Sequence, residues 1–360
     1  MNVIADKRRN VGVITLNRPQ ALNALSLQMI REITAALIGW RDDPQVAAVV
    51  LRGATQEGKG VAFCAGGDIR FFHQAALAGD PQLEDFFTEE YSLDHLIHRY
   101  PKPTVALMDG IVMGGGMGIA QGAAMRIVTE RAKLAMPETN IGLFPDVGGG
   151  YFLSRCAGHV GEYLALTGEV LGAGDAIALG LADFFMPSEA LAALVESLGD
   201  QPMDSGAQVR ATVVARSQPV PAPAWSGQRE QIDAHFALPD LHAILASLQA
   251  DGSDWAMQTL DTLRRRSPLM MAVTLEQVRR ARTMSLADDL RMERDMVRRC
   301  FHLRPGAAGE TAEGIRALAV DKDHAPRWNP SRVEDVTPSM VQAFFESPWP
   351  AHAHPLRGLD

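Results

Sequence analysis

Three short segments bring together residues that could do chemistry. They are GVAFCAGGD at 60–68, GGGMG at 114–118 and PETNIGLFPDVGGG at 137–150. In the first two, glycines stand where an apolar strand runs into the start of a helix. A glycine backbone can approach a ligand closely, and its exposed N–H groups are good donors to an oxygen that gains negative charge. The third segment sets two acids, Glu138 and Asp146, among apolar and glycine residues. A carboxyl group in a partly dry pocket has its pKa raised toward working pH, the condition for a general base or acid. Each segment alone also has a plainer reading: tight turns for the glycines, a capped or paired surface acid for Glu138, and a helix N-cap for Asp146.

These segments need strands and helices to position them. VIADKRRNVGVITL at 3–16 reads as a hairpin turning near Arg8 to Asn10. From Ser26 onward, Leu27, Ile30, Ile33, Leu37 and Trp40 recur at near-helical spacing, and VAAVVLRG at 46–53 is a run of buried-strand type. The alternation repeats in PTVALMDGIVM with its glycine turn and Ala-rich helix, and again in AMRIVTE and AKLAM. The fold class expected is therefore α/β. Beyond residue 200 the texture changes. ARSQPVPAPAWSGQ at 215–228 is Pro-rich and polar, and 201–228 is taken as a linker or surface crossing. The rest, 229–360, carries helical patterns such as LHAILASLQ, WAMQTLDTLRRR, LMMAVTLEQVRRA and DDLRMERDMVRRC. The division expected is thus a core over 1–200, the crossing, and a helical C-terminal region.

Bulk properties exclude several classes of function. With 47% hydrophobic and 21% charged residues among 360, the chain can bury a large core, so extensive disorder is not expected. The net charge of -9 gives no attraction toward nucleic acid or an anionic bilayer. An anionic ligand would need locally placed Arg, Lys or backbone N–H groups. Three cysteines, Cys64, Cys156 and Cys300, in no paired spacing argue against a disulfide framework or a Cys-rich zinc site and fit a reducing cytosol. The N-terminus, MNVIADKRRN, has no apolar core of a signal peptide, and no later stretch nears 18 apolar residues, so a soluble, cytoplasmic, unanchored protein is expected.

Weaker signals were weighed too. GATQEGKG at 53–60 approaches a phosphate loop, but Gly60 replaces the Ser or Thr that would hold magnesium. His95 and His98 lack a companion metal ligand, so no metal site is expected. The Arg264 to Arg266 run reads as a solvated helix face, and Met270, Met271, Met292 and Met296 read as core filling.

Taken in order, AFCAGGDI, MDGIVMGGGMG and MPETNIGLFPDVGGGYFL resemble the successive signature segments of the crotonase (enoyl-CoA hydratase/isomerase) superfamily. The resemblance implies a spiral core of repeated ββα units acting on an acyl-CoA thioester. By motif, the Gly67 and Gly115 amides would form the oxyanion hole, and Ala65, Gly66 and Asp68 would line the substrate. Hydratases use two glutamates; Glu138 matches one, while the other position is Gly118. Asp146, in the F-P-D-V-G-G-G form, instead resembles the 3-hydroxyisobutyryl-CoA hydrolases, as do FTEEYSLDHLI at 87–97, DGSDWAMQTL at 251–260 and EGIRALAVDKDHAPRWNP at 313–330. Glu138 and Asp146 are then the catalytic pair. Glu90 would be a substrate-contacting acid, although a solvent-facing helix glutamate is the equal alternative. No cofactor is implied, because coenzyme A is part of the substrate. The same resemblance implies valine breakdown and leaves homo-oligomerisation open. Whether Glu138 is nucleophile or general base stays open as well. One departure is the stretch 301–314, longer than the family pattern and expected to lie away from the motif acids.

Overall fold

The computed structural model describes every residue except Glu57, Lys59, 201–205, Trp225 and Ser226. Parts of the phosphate-loop-like run and of the expected linker therefore lie outside the described residues. The chain forms two compact units, each assembled from three segments. One comprises Met1–Gly67, Ser92–Ala135 and Val170–Ser226; the other comprises Asp68–Tyr91, Met136–Glu169 and Gly227–Asp360. The segments alternate along the sequence; position 200 falls inside the last segment of the first unit, and the final crossing between units lies at Ser226/Gly227, two residues from position 228.

The first unit holds the nine strands found among the described residues: β1 (Val3–Arg8), β2 (Val11–Leu16), β3 (Ala48–Gly53), β4 (Ala62–Cys64), β5 (Thr104–Met108), β6 (Ile111–Met113), β7 (Met125–Val128), β8 (Lys133–Ala135) and β9 (Phe184–Phe185). β1 and β2 form the expected hairpin, with Val3 opposite Leu16 and Arg8 opposite Val11. Every β2 residue is buried, whereas β1 exposes its charged end, as suits an edge strand. The larger sheet runs β1-β2-β3-β5-β7-β9 and the smaller β4-β6-β8. Each successive pair, β3/β4, β5/β6 and β7/β8, thus adds one parallel strand to each sheet. Such repetition is the ββα spiral expected from the sequence.

Alternate strand residues Val11, Val13, Val50, Leu107 and Ile127 pack with Leu194, Val195 and Leu198 of the helix Leu191–Asp200. Val209 and Val213, four residues apart on the helix Gly206–Arg216, close the same core. That helix falls inside the stretch read as a linker. Its two buried valines are too few to stand out beside the proline-rich run that follows, and the tertiary contact decides.

In the second unit the region from Arg229 is helical, as expected, and no strand occurs there among the described residues. Asp240, Ser253, Ser267 and Ser285 each start a helix by accepting a backbone N–H, from Ala243, Ala256, Met270 and Asp288. The 301–314 stretch corrects an expectation. Far from standing apart, it leads into the helix Glu310–Ile315, where Thr311 Oγ1 donates to the Gly142 carbonyl at 2.7 Å, four residues from Glu138.

Close approach of backbones in the first unit depends on Gly116, whose absent Cβ would overlap the Cys64 carbonyl oxygen on β4. A backbone oxygen cannot swing aside as a side chain can. Gly116→Ala should therefore cost about 1–3 kcal/mol, the usual range for overpacking, and lower the urea midpoint with little change in slope.

Candidate active site

Within the first unit, β4 and β6 are parallel neighbours, so the loops that follow them leave from the same edge of the small sheet. Leu25 N–H donates to Gly66 O at 2.8 Å and fixes the first loop. Gly66 has φ +107°, a conformation that side-chain-bearing residues rarely adopt, and a Cβ there would stand 3.7 Å from Gly115 N. The two glycine loops are thus side by side. Gly115 is the first residue of the helix Gly115–Gln121, and its amide has no intrahelical acceptor. Ala65, Gly66, Gly67 and Gly115 share this neighbourhood.

Asp68, in the second unit, opens the helix Ile69–Ala78 and accepts the Phe71 N–H at 3.4 Å. The sequence allowed for an acid that begins a helix, and Asp68 stands there.

Glu138 opens a 3-10 turn, Glu138–Ile141, and is 6% exposed. Its Oε2 is buried without a hydrogen-bond partner among the described residues. Burial, and then the charge of Asp146, hold its pKa well above the usual carboxylate range. A capped or ion-paired surface acid is not what the structure contains. The turn itself is braced on several sides. Thr139 Oγ1 donates to Leu166 O at 3.1 Å, and Arg266 donates to Asn140 Oδ1 at 2.6 Å and to Thr167 O at 2.7 Å. Arg266 therefore departs from the solvated face expected of its run; it is half-buried and holds the turn that carries Glu138.

Asp146 is buried, and burial pushes its pKa up to about 6 against a hydrogen bond from Tyr91 that acts in the opposite sense. Tyr91 Oη donates to Asp146 Oδ2 at 2.8 Å. The tyrosine is fully buried, and burial together with the Asp146 charge keeps it protonated. Asp146 does not cap the helix Gly149–Leu153, whose N-cap is Gly148. Between them stands Val147 at φ +58°. A β-branched residue in the left-handed region costs about 1–3 kcal/mol and persists only where the surroundings over-determine it.

Glu90 precedes Tyr91 on the helix Gln82–His98 and is buried, so the solvent-facing alternative falls. Its charge contributes to the raised pKa of Tyr91. The structure thereby gathers Glu138, Asp146 and Glu90 in one unit. Sequence reasoning missed three residues here: Tyr91, for which adjacency to Glu90 in the E-E-Y run was the available signal, and Asp289 and Glu293, which meet the 148–151 turn from a distant helix. Among the described residues, no group of three or more His, Cys, Asp or Glu is arranged to hold a metal ion, and no helix is long and apolar enough to cross a membrane. Cys64, Cys156 and Cys300 are buried free thiols.

The family described as enoyl-CoA hydratase/isomerase matches residues 11–345. The chain is 40% identical over 344 residues to a mitochondrial 3-hydroxyisobutyryl-CoA hydrolase of Xenopus tropicalis, covering 93% of this chain and 86% of that protein. Among solved structures it is similar to a carnitinyl-CoA dehydratase from Mycobacterium thermoresistibile, with 36% identity, TM-score 0.89 and coverage of 100% and 99% of the two chains. It is also similar to an enoyl-CoA hydratase from Rhodobacter sphaeroides, with 38% identity, TM-score 0.87 and coverage of 97% and 98%.

The raised pKa of Glu138 links stability to pH. A carboxyl whose folded pKa exceeds its unfolded value contributes stability below the ordinary carboxylate range and loses it as pH rises through the folded value. Glu138→Gln keeps the neutral form at every pH. Thermal melts from pH 5 to pH 8 should show the variant gaining on the parent as pH rises, by about 1.4 kcal/mol for each unit of pKa elevation. Parallel pH curves would contradict the burial argument.

Proposed function

Because this chain belongs to the enoyl-CoA hydratase/isomerase family, we propose that it hydrolyses a short 3-hydroxyacyl-CoA thioester of the 3-hydroxyisobutyryl-CoA type, yielding the free hydroxy acid and CoA. The observation that carries this reading is the buried pair Glu138 and Asp146, each with its pKa raised by burial, together with glycine at position 118. Adding water across a double bond calls for two carboxyl groups in the hydratase pattern. Gly118 is a buried helix residue with no side chain to supply the second. Thioester cleavage needs an activated oxygen nucleophile and a stabilised oxyanion instead.

In the proposed reaction the Gly67 and Gly115 amides receive the thioester oxygen. Two preorganised donors favour a tetrahedral oxyanion over the ground-state carbonyl, and loss of one such donor costs about 10²- to 10³-fold in rate. Ala65, Gly66 and Asp68 border the acyl-CoA. Ionised Glu138 either attacks the carbonyl carbon or removes a proton from the water that does so. The C–S bond breaks, the CoA thiolate takes up a proton, and water supplies the oxygen of the product acid. Asp146, held by Tyr91, orients the substrate hydroxyl and Glu138, and Glu90 binds the hydroxyl end. No cofactor enters the balance, since CoA arrives with the substrate. A cytoplasmic location and a part in valine breakdown complete the reading.

Purified protein given 3-hydroxyisobutyryl-CoA, 3-hydroxypropionyl-CoA and crotonyl-CoA, with thiol release and enoyl absorbance followed separately, tests it. We expect thiol release from the hydroxyacyl esters and a fall of about 10²- to 10⁴-fold in Glu138→Gln. Loss of enoyl absorbance without thiol release would reject hydrolysis.

The pH profile gives a second check. Burial first, and then the Asp146 charge, raises Glu138, so removing that charge lowers the Glu138 pKa. In Asp146→Asn the residual kcat/KM should keep its activity to lower pH on the acid side than in the parent. An unmoved acid limb would uncouple the two carboxyl groups.

A further inference from the structure

The helix Leu286–His302 carries two acids that have no part in the reaction as written. Asp289 and Glu293 stand one turn apart and are fully buried. Glu293 Oε2 accepts the Gly148 N–H at 2.7 Å and its Oε1 accepts the Gly150 N–H at 3.0 Å. Asp289 Oδ2 accepts the Tyr151 N–H at 2.7 Å. Three amides of the 148–151 turn are therefore received by two carboxyl groups from one distant helix. Gln277 Nε2 extends the clamp, donating to Glu293 Oε1 at 3.0 Å and to the Pro145 carbonyl at 2.7 Å. Gly150 fits this arrangement, because a Cβ there would stand 2.5 Å from Asp289 Oδ1.

The clamped residues, Pro145 and 148–151, flank Asp146 and Val147. Val147 is in the left-handed conformation, which does not persist without such over-determination. If the turn relaxed, the Asp146 carboxylate would be the group redirected. We propose that Glu293, assisted by Asp289, is a positioning residue for thioester cleavage: by clamping the 148–151 amides it holds the Val147 turn that aims Asp146. The inference rests on the role given to Asp146 above. A device for packing alone would not need acids. Burial raises both groups, Asp289 to about 7 and Glu293 well above its usual range, where the Asp289 charge adds to the effect. Filling that space with buried carboxyl groups is costly unless their hydrogen bonds are used.

The test is a double-mutant cycle on the full chain, with thiol release and thermal melting as readouts. Glu293→Gln should lower kcat about tenfold or more with KM within about twofold of the parent. Because Glu293 acts through Asp146, Glu293→Gln combined with Asp146→Asn should be no slower than Asp146→Asn alone, within about twofold. Glu162→Gln is the comparison. Glu162 is another buried acid of the same unit, paired with Arg282 and His159, and its loss should lower the melting temperature while leaving kcat unchanged. The inference is overturned if Glu293→Gln melts lower but keeps its kcat, or if its loss multiplies with that of Asp146→Asn. Full thiol release in Asp146→Asn would overturn the role of Asp146 itself, and this inference with it. Should Glu293→Gln not fold, Asp289→Asn, which alters the acceptor of a single amide, carries the same cycle.

Discussion

Keeping carboxyl groups away from water organises the second unit. An isolated buried carboxylate is so unfavourable that it neutralises unless donors or counter-charges are supplied. Glu138, Asp146, Asp289 and Glu293 are all buried, and their pKa values are raised. What distinguishes them is the supply of donors. Asp146 has the Tyr91 hydroxyl, Glu293 two backbone amides and a glutamine, and Asp289 one amide. Glu138 Oε2 and Asp289 Oδ1 have none among the described residues. Burial with no donor on that oxygen goes with a Glu138 pKa held well above the usual carboxylate range. A carboxylate made more basic in this way is better suited to attack or proton removal at a thioester.

The buried Glu138 carboxyl has a rigid seat. The Glu138–Ile141 turn has hydrogen bonds from Thr139 to the Leu166 carbonyl, from Arg266 to Asn140, and from Thr311 to the Gly142 carbonyl. These partners come from regions of the second unit that are far apart in sequence. Fixed geometry of this kind avoids reorganisation when charge moves, the main source of electrostatic advantage in a dry site. In the first unit the glycine loops obtain rigidity differently. Their backbones touch, and no side chain intervenes at Gly116.

Much of this was legible in the sequence, for reasons that can be named. The apolar strand runs and the helical spacing that starts at Ser26 are local signals, and the elements form where they indicate. Glu138 and Asp146 could be singled out because apolar and glycine neighbours in one segment already suggested a dry setting. Glu293 could not. It lies in a helix rich in acids and arginines, where a carboxyl usually faces water, and only its meeting with Gly148 and Gly150 distinguishes it. The helix Gly206–Arg216 was hidden in the same way, since its two valines gain meaning only against Leu194 and Leu198. Long-range pairing, rather than weak propensity, is what one sequence withholds.

The alternation of segments between the two units bears on the order in which the chain can mature at the ribosome. Among the described residues every strand lies before residue 186, so the strand segments are synthesised before the later helices. The acids must wait. Glu293 is 145 positions beyond Gly148, and at ordinary elongation rates these take on the order of 10 s to add. Until the helix Leu286–His302 has been made, the amides of Gly148, Gly150 and Tyr151 lack the carboxyl groups that receive them in the folded chain.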